Sequence, residues 1–550
     1  MRFPRLLILL LTPGLVGSCQ SASSPVEPPQ LLPGYGGYSR SVTAASDDAQ
    51  AWMDQGFQLV YGFNHDEGIR SFVHAAALSP DCPMAWWGIA YGNGIDVNNP
   101  DVSEAEARQG YEAAQKAMAL IDFATPVERM LIRAAAKRAV YPLPEDRSGL
   151  DQAYSDAMRV AWQAFPHDAD VGVLYAESLM NLQPWAYWTN EGEPLDHALE
   201  IVEVLERVLA EHPLHPGANH FYIHAVEASN HPGMATLAAD RLRHLVPGSG
   251  HLVHMPSHIY INTGRYNDAV TSNQAAIAAD EAYFAKVGTP GFYSIYYIHN
   301  IHFLSFGAMM EGRAEIAIDA TRHMEAQVPE DFLRNFVKFG DGLMPAKFHA
   351  LIRFGRWQQI LEEPAYPEWR KVSRSVRSYA RVVALANLMR TEEARAELAR
   401  FDILAAEVDD SWLVGTNPAP VILALSRQMA EAEVLWREGR ANAAFALMRE
   451  AVAAEDQLVY DEPPGWMLPV RHALGAILLA GGEAEEAVEV YRTDLADWPE
   501  NAWSLLGLQQ ALQELGREDE AEALAHRVAK AWARADVEPP ASCYCGVIEE

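Results

Sequence analysis

Three short stretches carry the residues most able to do chemistry. HFYIHAVE places His220, His224 and Glu227 within eight residues, HLVHMPSH places His251, His254 and His258, and HNIH places His299 and His302. On a helix turning 100° per residue, His220, His224 and Glu227 span about 60° of arc, so all three point one way. Imidazole and carboxylate together are donors for zinc, copper, iron or nickel, whereas calcium and magnesium take oxygen. Residues 220–258 hold seven of the 19 histidines, where an even spread gives about 1.3. Burying that many imidazoles unpartnered costs about 1–3 kcal/mol for each unsatisfied group, so a bound ion or a dense hydrogen-bond network must compensate. Two metal-free readings stand beside the metal: an acid–base or substrate-binding histidine network, and a structural one.

On the metal reading, His220, His224, His254 and His258 are the leading ligands. His251, His299 and His302 form a second site or support the first, and Glu227 and Glu177 serve as ligand or general base. These are more donors than one tetrahedral ion uses, so either two ions bind or the surplus orients the rest. With no cysteine in the cluster, a closed structural zinc site is disfavoured. Copper is favoured for an exported chain, with Met255 as a soft donor, and zinc or iron are the alternatives. His74, His167, His197, His212, His215, His472 and His526 are read as packing or surface residues.

The elements that must position these residues come from a repeat. Trp52, Gly56, Phe72, Ala75 and Pro80 stand in the order of the tetratricopeptide repeat, and Trp86 follows Trp52 by 34 residues, as Pro247 follows Pro213. Later copies include WREGRANAAFALMREAV and LLAGGEAEEAVEVYRTDLADWP. Small residues let paired helices approach, and large ones fill the space between them. The chain thus resembles large bacterial tetratricopeptide-repeat lipoproteins with a histidine-rich groove. The resemblance implies an all-α, right-handed solenoid of helical hairpins, each burying its apolar face against its neighbours. It also implies that helix-A positions 2, 5, 9 and 12 line the concave groove. Counted back from Pro247, His220, His224 and Glu227 fall at 5, 9 and 12, with His251, His254 and His258 at 2, 5 and 9 of the next unit.

Pro256 is expected to lie early in a helix opening near His254, or in a kinked first turn, and to re-aim both neighbouring imidazoles. Two aromatic, Asn-rich insertions, residues 91–101 and 182–194, interrupt the repeats. Such loops either cap the groove or decorate the surface. Trp185, Tyr187, Trp188 and Tyr222 are candidates to wall an apolar pocket.

The first residues, with Arg2, Arg5 and the apolar run Leu6–Leu11, read as an export signal. Val16-Gly17-Ser18-Cys19 resembles a lipobox, which implies lipidation of Cys19, and Gln20 favours the outer membrane, facing the periplasm or the cell surface. The expected organisation is a signal at 1–18, a flexible tether at 19–45, and a solenoid with the His/Glu site at 46–400. C-terminal repeats at 401–535 and a C-x-C tail at 536–550 complete it. The tail cysteines, Cys543 and Cys545, read as a local disulfide, a soft-metal pair or free thiols. A formal net charge of −32 argues against nucleic-acid partners. Function then divides two ways. The chain is either a lipid-anchored metalloprotein, as a metal-dependent oxidase or hydrolase or as a metal store or carrier, or a scaffold whose repeats over 425–535 bind a protein or peptide partner.

Overall fold

The computed structural model of the chain describes residues 29–43, 45–288 and 291–546. The signal at 1–18 and the lipidation site Cys19 lie outside them. Helices pair in sequence order. Asp47–Tyr61 starts at Ser46, whose hydroxyl accepts the Ala49 N–H, and its partner His65–Leu78 starts at Asn64, whose side chain accepts the Glu67 N–H. These caps satisfy donors that a helix start leaves open. Phe72 fills the space between hairpins because Gly56 and Gly88 yield to it: a Cβ at either would lie 2.4 or 2.5 Å from its ring. Tyr491 sits in the same way between Gly475 and Gly507, where a Cβ would come within 2.4 and 2.2 Å. One packing device thus recurs at both ends of an all-α array of tetratricopeptide-type hairpins, relieved by a small ribbon pairing Leu413–Val414 with Asn417–Pro418. Among the described residues no helix is long and apolar enough to cross a membrane.

The array coils tightly enough for distant hairpins to touch. Trp503, fully buried, donates its indole N–H to the Met309 carbonyl at 2.7 Å, and Asp536 accepts the N–H groups of Ala314 and Glu315 at 2.6 and 2.9 Å. Asn190 reaches the Leu458 carbonyl at 3.3 Å. The helices Pro216–Val226, Gly250–His254, Pro256–Asn262 and Ser294–Met310 carry the histidine stretches. Their residues are buried almost all round, as helices enclosed on both sides must be.

Several expectations change. Residues 29–43 are packed rather than a loose tether. Leu32 is buried, and its N–H donates to Gln55 at 2.6 Å. Arg40 pairs with Asp168 at 2.8 Å and Asp170 at 2.6 Å, and the Thr43 N–H donates to Glu128. Charge and apolar groups in the segment hold it to the first hairpins. His251 stands on a short helix opened at Gly250, where Ser249 accepts the Leu252 N–H, and a second helix opens at Pro256, just after His254, with the proline in its first turn. At the C-terminus Cys543 and Cys545 are disulfide-bonded. The tail folds back onto the C-terminal hairpins: Arg437 donates to the Cys545 carbonyl at 2.8 Å, and Ser542 bonds both Tyr491 and the His472 carbonyl. The tail thus covers part of the repeats over 425–535, the candidate partner-binding region.

Candidate metal centre

The superhelix gathers six of the predicted histidines. His220, His224 and His251 form one set and His254, His258 and His299 a second; within each, one donor atom per residue lies within 4.8 Å of the others. A third set combines Glu227 and His258 with Glu462. All of these residues are buried except His299, which is partly exposed. Two nitrogens each about 2.0 Å from a tetrahedral ion stand about 3.3 Å apart. The Nε2 atoms of His220 and His251 are 3.2 Å apart, and those of His254 and His258 3.0 Å apart.

Neighbours decide which nitrogen each ring presents. His220 Nδ1 lies 2.6 Å from the Tyr61 carbonyl, His224 Nδ1 2.9 Å from Glu227 Oε1, and His254 Nδ1 2.7 Å from Asn273 Oδ1. A carbonyl or carboxylate can only accept, so these rings donate from Nδ1 and turn a bare Nε2 lone pair inward; Asn273 is assigned the same way, since its Nδ2 donates to Ser257 and Ala269. This is the outer-shell arrangement that orients metal-binding histidines. Without an ion, the two close Nε2 pairs can each share one proton. His224 Nε2 and His251 Nδ1 nevertheless remain buried with no hydrogen-bond partner, a state that native interiors seldom leave unfilled.

Electrostatics agree with the tautomers. Burial, reinforced by neighbouring imidazoles, holds His220, His251, His254 and His299 well below the ordinary histidine range, so they are neutral and keep a lone pair. Burial alone would depress His258 too, but the Glu227 and Glu462 carboxylates outweigh it and push it up to about 10. Burial raises Glu227, yet His258 and His224 hold it well below the usual carboxylate range.

Two predicted residues stand apart. His302 Nε2 is 2.6 Å from the Leu343 carbonyl and belongs to none of the three sets; burial lowers it to about 4. Glu177, on Ala169–Met180, accepts a hydrogen bond from Asn181 and lies near Arg138; burial raises it to about 7. It joins no set with the histidines.

Aromatic rings cover the cluster. Phe63, at a left-handed φ of 56° in the first hairpin turn, packs against His220, His224 and His251 with centroids 4.7, 5.9 and 5.5 Å apart. Phe303 lies 4.7 Å from His254 and 4.5 Å from His258, and Tyr296 4.4 Å from His251. The 182–194 insertion reaches the site: Trp185, 40% exposed and at φ 65°, stands edge-on to His224 at 5.1 Å, and Trp188 donates to the Ala225 carbonyl at 2.7 Å. Tyr187 is buried, with its hydroxyl toward the Met180 carbonyl. Tyr222 points elsewhere, its hydroxyl 2.7 Å from Glu206 on the outer helix Ala198–Glu211.

Sequence reasoning missed Tyr61, Phe63, Asn273, Tyr460 and Glu462. Tyr61 contributes only a carbonyl, and Asn273 stands on an outer helix. The one local hint for Glu462 is its setting in DEPPGW, an acidic residue beside two prolines in a long connection between hairpins.

No protein-family model matches the chain, and no curated protein matches it. Solved structures of low similarity include the APC/C hetero-tetramer Cut9–Hcn1, at 11% identity over 88% of this chain and 76% of that one, TM-score 0.31. Human IFIT1 dimers also match: with PPP-AAAA at 10% identity, covering 89% and 95%, TM-score 0.33, and with m7Gppp-AAAA at 12%, covering 89% and 96%, TM-score 0.33. Likeness at that level says nothing about what this chain binds.

Proposed function

We propose that the chain is an exported metalloprotein, anchored by lipid at Cys19 to the outer membrane, that holds transition-metal ions inside its repeat superhelix. The ligands are His220, His224 and His251 for one ion and His254, His258 and His299 for another. One observation carries the reading: three imidazoles donate through Nδ1 to Tyr61, Glu227 and Asn273, which leaves the Nε2 lone pairs of His220 and His224 for one buried set and that of His254 for the other. All-imidazole sets suit copper first, with zinc and iron as alternatives. The export and anchoring parts rest on Arg2, Arg5, the Leu6–Leu11 run and the lipobox-like residues before Cys19.

Three protein donors leave a coordination position open, as in catalytic rather than structural sites. When bound, copper or iron supplies redox chemistry there and zinc a Lewis acid. The chain's own contribution is to orient the donors, exclude water with Phe63 and Phe303, and leave Trp185 and Tyr460 partly exposed where the 182–194 insertion meets the 456–462 segment. An oxidase or hydrolase would use the open position, whereas a partner-binding scaffold would leave the buried histidine sets without a role. Metal storage or delivery shares the donors and differs by showing no turnover.

Metal analysis of the detergent-solubilised full chain tests the proposal. Purified protein should retain transition metal after dialysis, and His224→Ala combined with His258→Ala should lose it while the helical circular dichroism persists. Wild-type protein that is isolated metal-free and takes up no Cu(II), Zn(II) or Fe(II) on titration refutes it.

A further inference from the structure

The His258 ring belongs to two sets through different nitrogens. Its Nε2 faces His254 Nε2 at 3.0 Å, while its Nδ1 lies 2.9 Å from Glu227 Oε2 and also contacts Glu462 Oε2. Despite that proximity, His258 Nδ1, Glu227 Oε2 and Glu462 Oε2 are all buried without a hydrogen-bond partner. They stand as close ion-pair contacts without ordinary hydrogen-bond alignment, and the three donor atoms lie within 4.8 Å of one another.

Each carboxylate is also held by one oxygen and presents the other. Glu227 Oε1 faces His224 Nδ1 at 2.9 Å, and Glu462 Oε1 accepts from the Tyr460 hydroxyl and Asn262 Nδ2. The side chains of Glu227, Glu462 and His258 are only 1–3% exposed. One imidazole N–H can satisfy one carboxylate oxygen, not two, and even a protonated ring sets one positive charge against two buried carboxylates, which leaves one negative charge uncompensated. A divalent cation balances both carboxylates.

We infer that Glu227, His258 and Glu462 form a separate, oxygen-rich position for a divalent first-row ion, bridged to the ion of the His254, His258 and His299 set by the two nitrogens of His258. The inference rests on the preceding reading of that histidine set. Mixed carboxylate and imidazole donors suit Zn(II), Mn(II) or Fe(II) better than the all-imidazole sets do. When both nitrogens are coordinated, the protonated His258 ring gives up both of its N–H protons to the solvent, with no change of oxidation state. Glu462 comes from the connection between the helices Ala441–Glu455 and Val470–Ala480, so this ion also ties the C-terminal repeats to the histidine-bearing ones.

Metal-stripped full chain, saturated with Cu(II) or Zn(II) and counted by plasma mass spectrometry, provides the test. Wild type should bind one ion more than Glu462→Gln, and that variant should keep the ions of the all-imidazole sets. Copper-saturated wild type should show fewer electron-paramagnetic spins than copper ions at low temperature, because a bridging imidazolate pairs them. That measurement needs no variant and stands even if Glu462→Gln folds poorly. Equal ion counts in wild type and variant, or one spin for every copper in wild type, overturn the bridge and leave the histidine sets intact. Failure of wild type to bind any ion overturns both readings.

Discussion

Asn273 touches no ion in the proposed centre, yet its replacement should weaken metal binding. Its Oδ1 accepts from His254 Nδ1 at 2.7 Å, and its Nδ2 is anchored by Ser257 Oγ at 2.7 Å and the Ala269 carbonyl at 2.8 Å. In metal-free protein His258, pushed up to about 10, donates its Nε2 proton to the bare His254 Nε2 at 3.0 Å, so His254 keeps its own proton on Nδ1, and Asn273→Leu leaves that proton without its acceptor. Coordination at Nε2 draws charge from the ring, so the lost Nδ1–H bond is worth about 1.5–3 kcal/mol in the metal-bound state against about 0.5–1.5 kcal/mol in the metal-free one. The difference, about 1–1.5 kcal/mol, corresponds to roughly 5- to 13-fold in affinity. Loss of an outer-shell partner typically costs about 10–100-fold, so the lower part of that range is expected. Asn273→Asp keeps the acceptor and adds charge, and should bind at least as tightly as wild type. Competition against a chelator of known affinity measures both, with far-UV circular dichroism confirming the fold. A folded Asn273→Leu protein with wild-type affinity refutes the argument that tautomer control makes this site.

Other consequences can be checked separately. The Asp170 carboxyl resists burial because Arg40 and His215 hold it well below the usual carboxylate range, so its stabilisation is present above about pH 3.9 and is lost as pH falls toward its folded value. Asp170→Asn should cost about 3–5 kcal/mol in urea unfolding at pH 7, and the deficit should shrink by about 1.4 kcal/mol for each pH unit below 4; a pH-independent deficit counts against it. Trp185→Gly frees a left-handed residue and uncovers His224, so a chelator should strip metal faster while the bound amount at saturation stays the same. Trp503→Ala removes a fully buried ring that joins distant hairpins and should destabilise the fold by about 3–5 kcal/mol. An unchanged denaturation midpoint would show that the superhelical turns do not support one another.

The histidine stripes were legible because spacing within a helix is fixed by its geometry. Positions 220, 224 and 227 share a face on any helix, and the 34-residue recurrence of Trp and Pro sets the next hairpin beside it. His254 and His258 follow His220 and His224 by that period, whereas His251 and His299 take their places from the bounds of their own units. Glu177 and His302 are sequence candidates for the same site, and there the sequence stops serving. Arg138 and Asn181 surround Glu177, and the Leu343 carbonyl claims His302, through contacts that the repeat position does not describe.

Sequence by itself determined the element type, the repeat and the column of imidazoles, since each depends on neighbours within one or two hairpins. Only the tertiary structure decided that Tyr61 and Phe63 close over His220, that Asn273 fixes the His254 tautomer, and that Glu462 meets His258 from about two hundred residues away. The reason is cumulative geometry. A superhelix's pitch sums many small packing angles, each set by side-chain volume at one interface, so contacts between its turns depend on the whole chain and on no local motif.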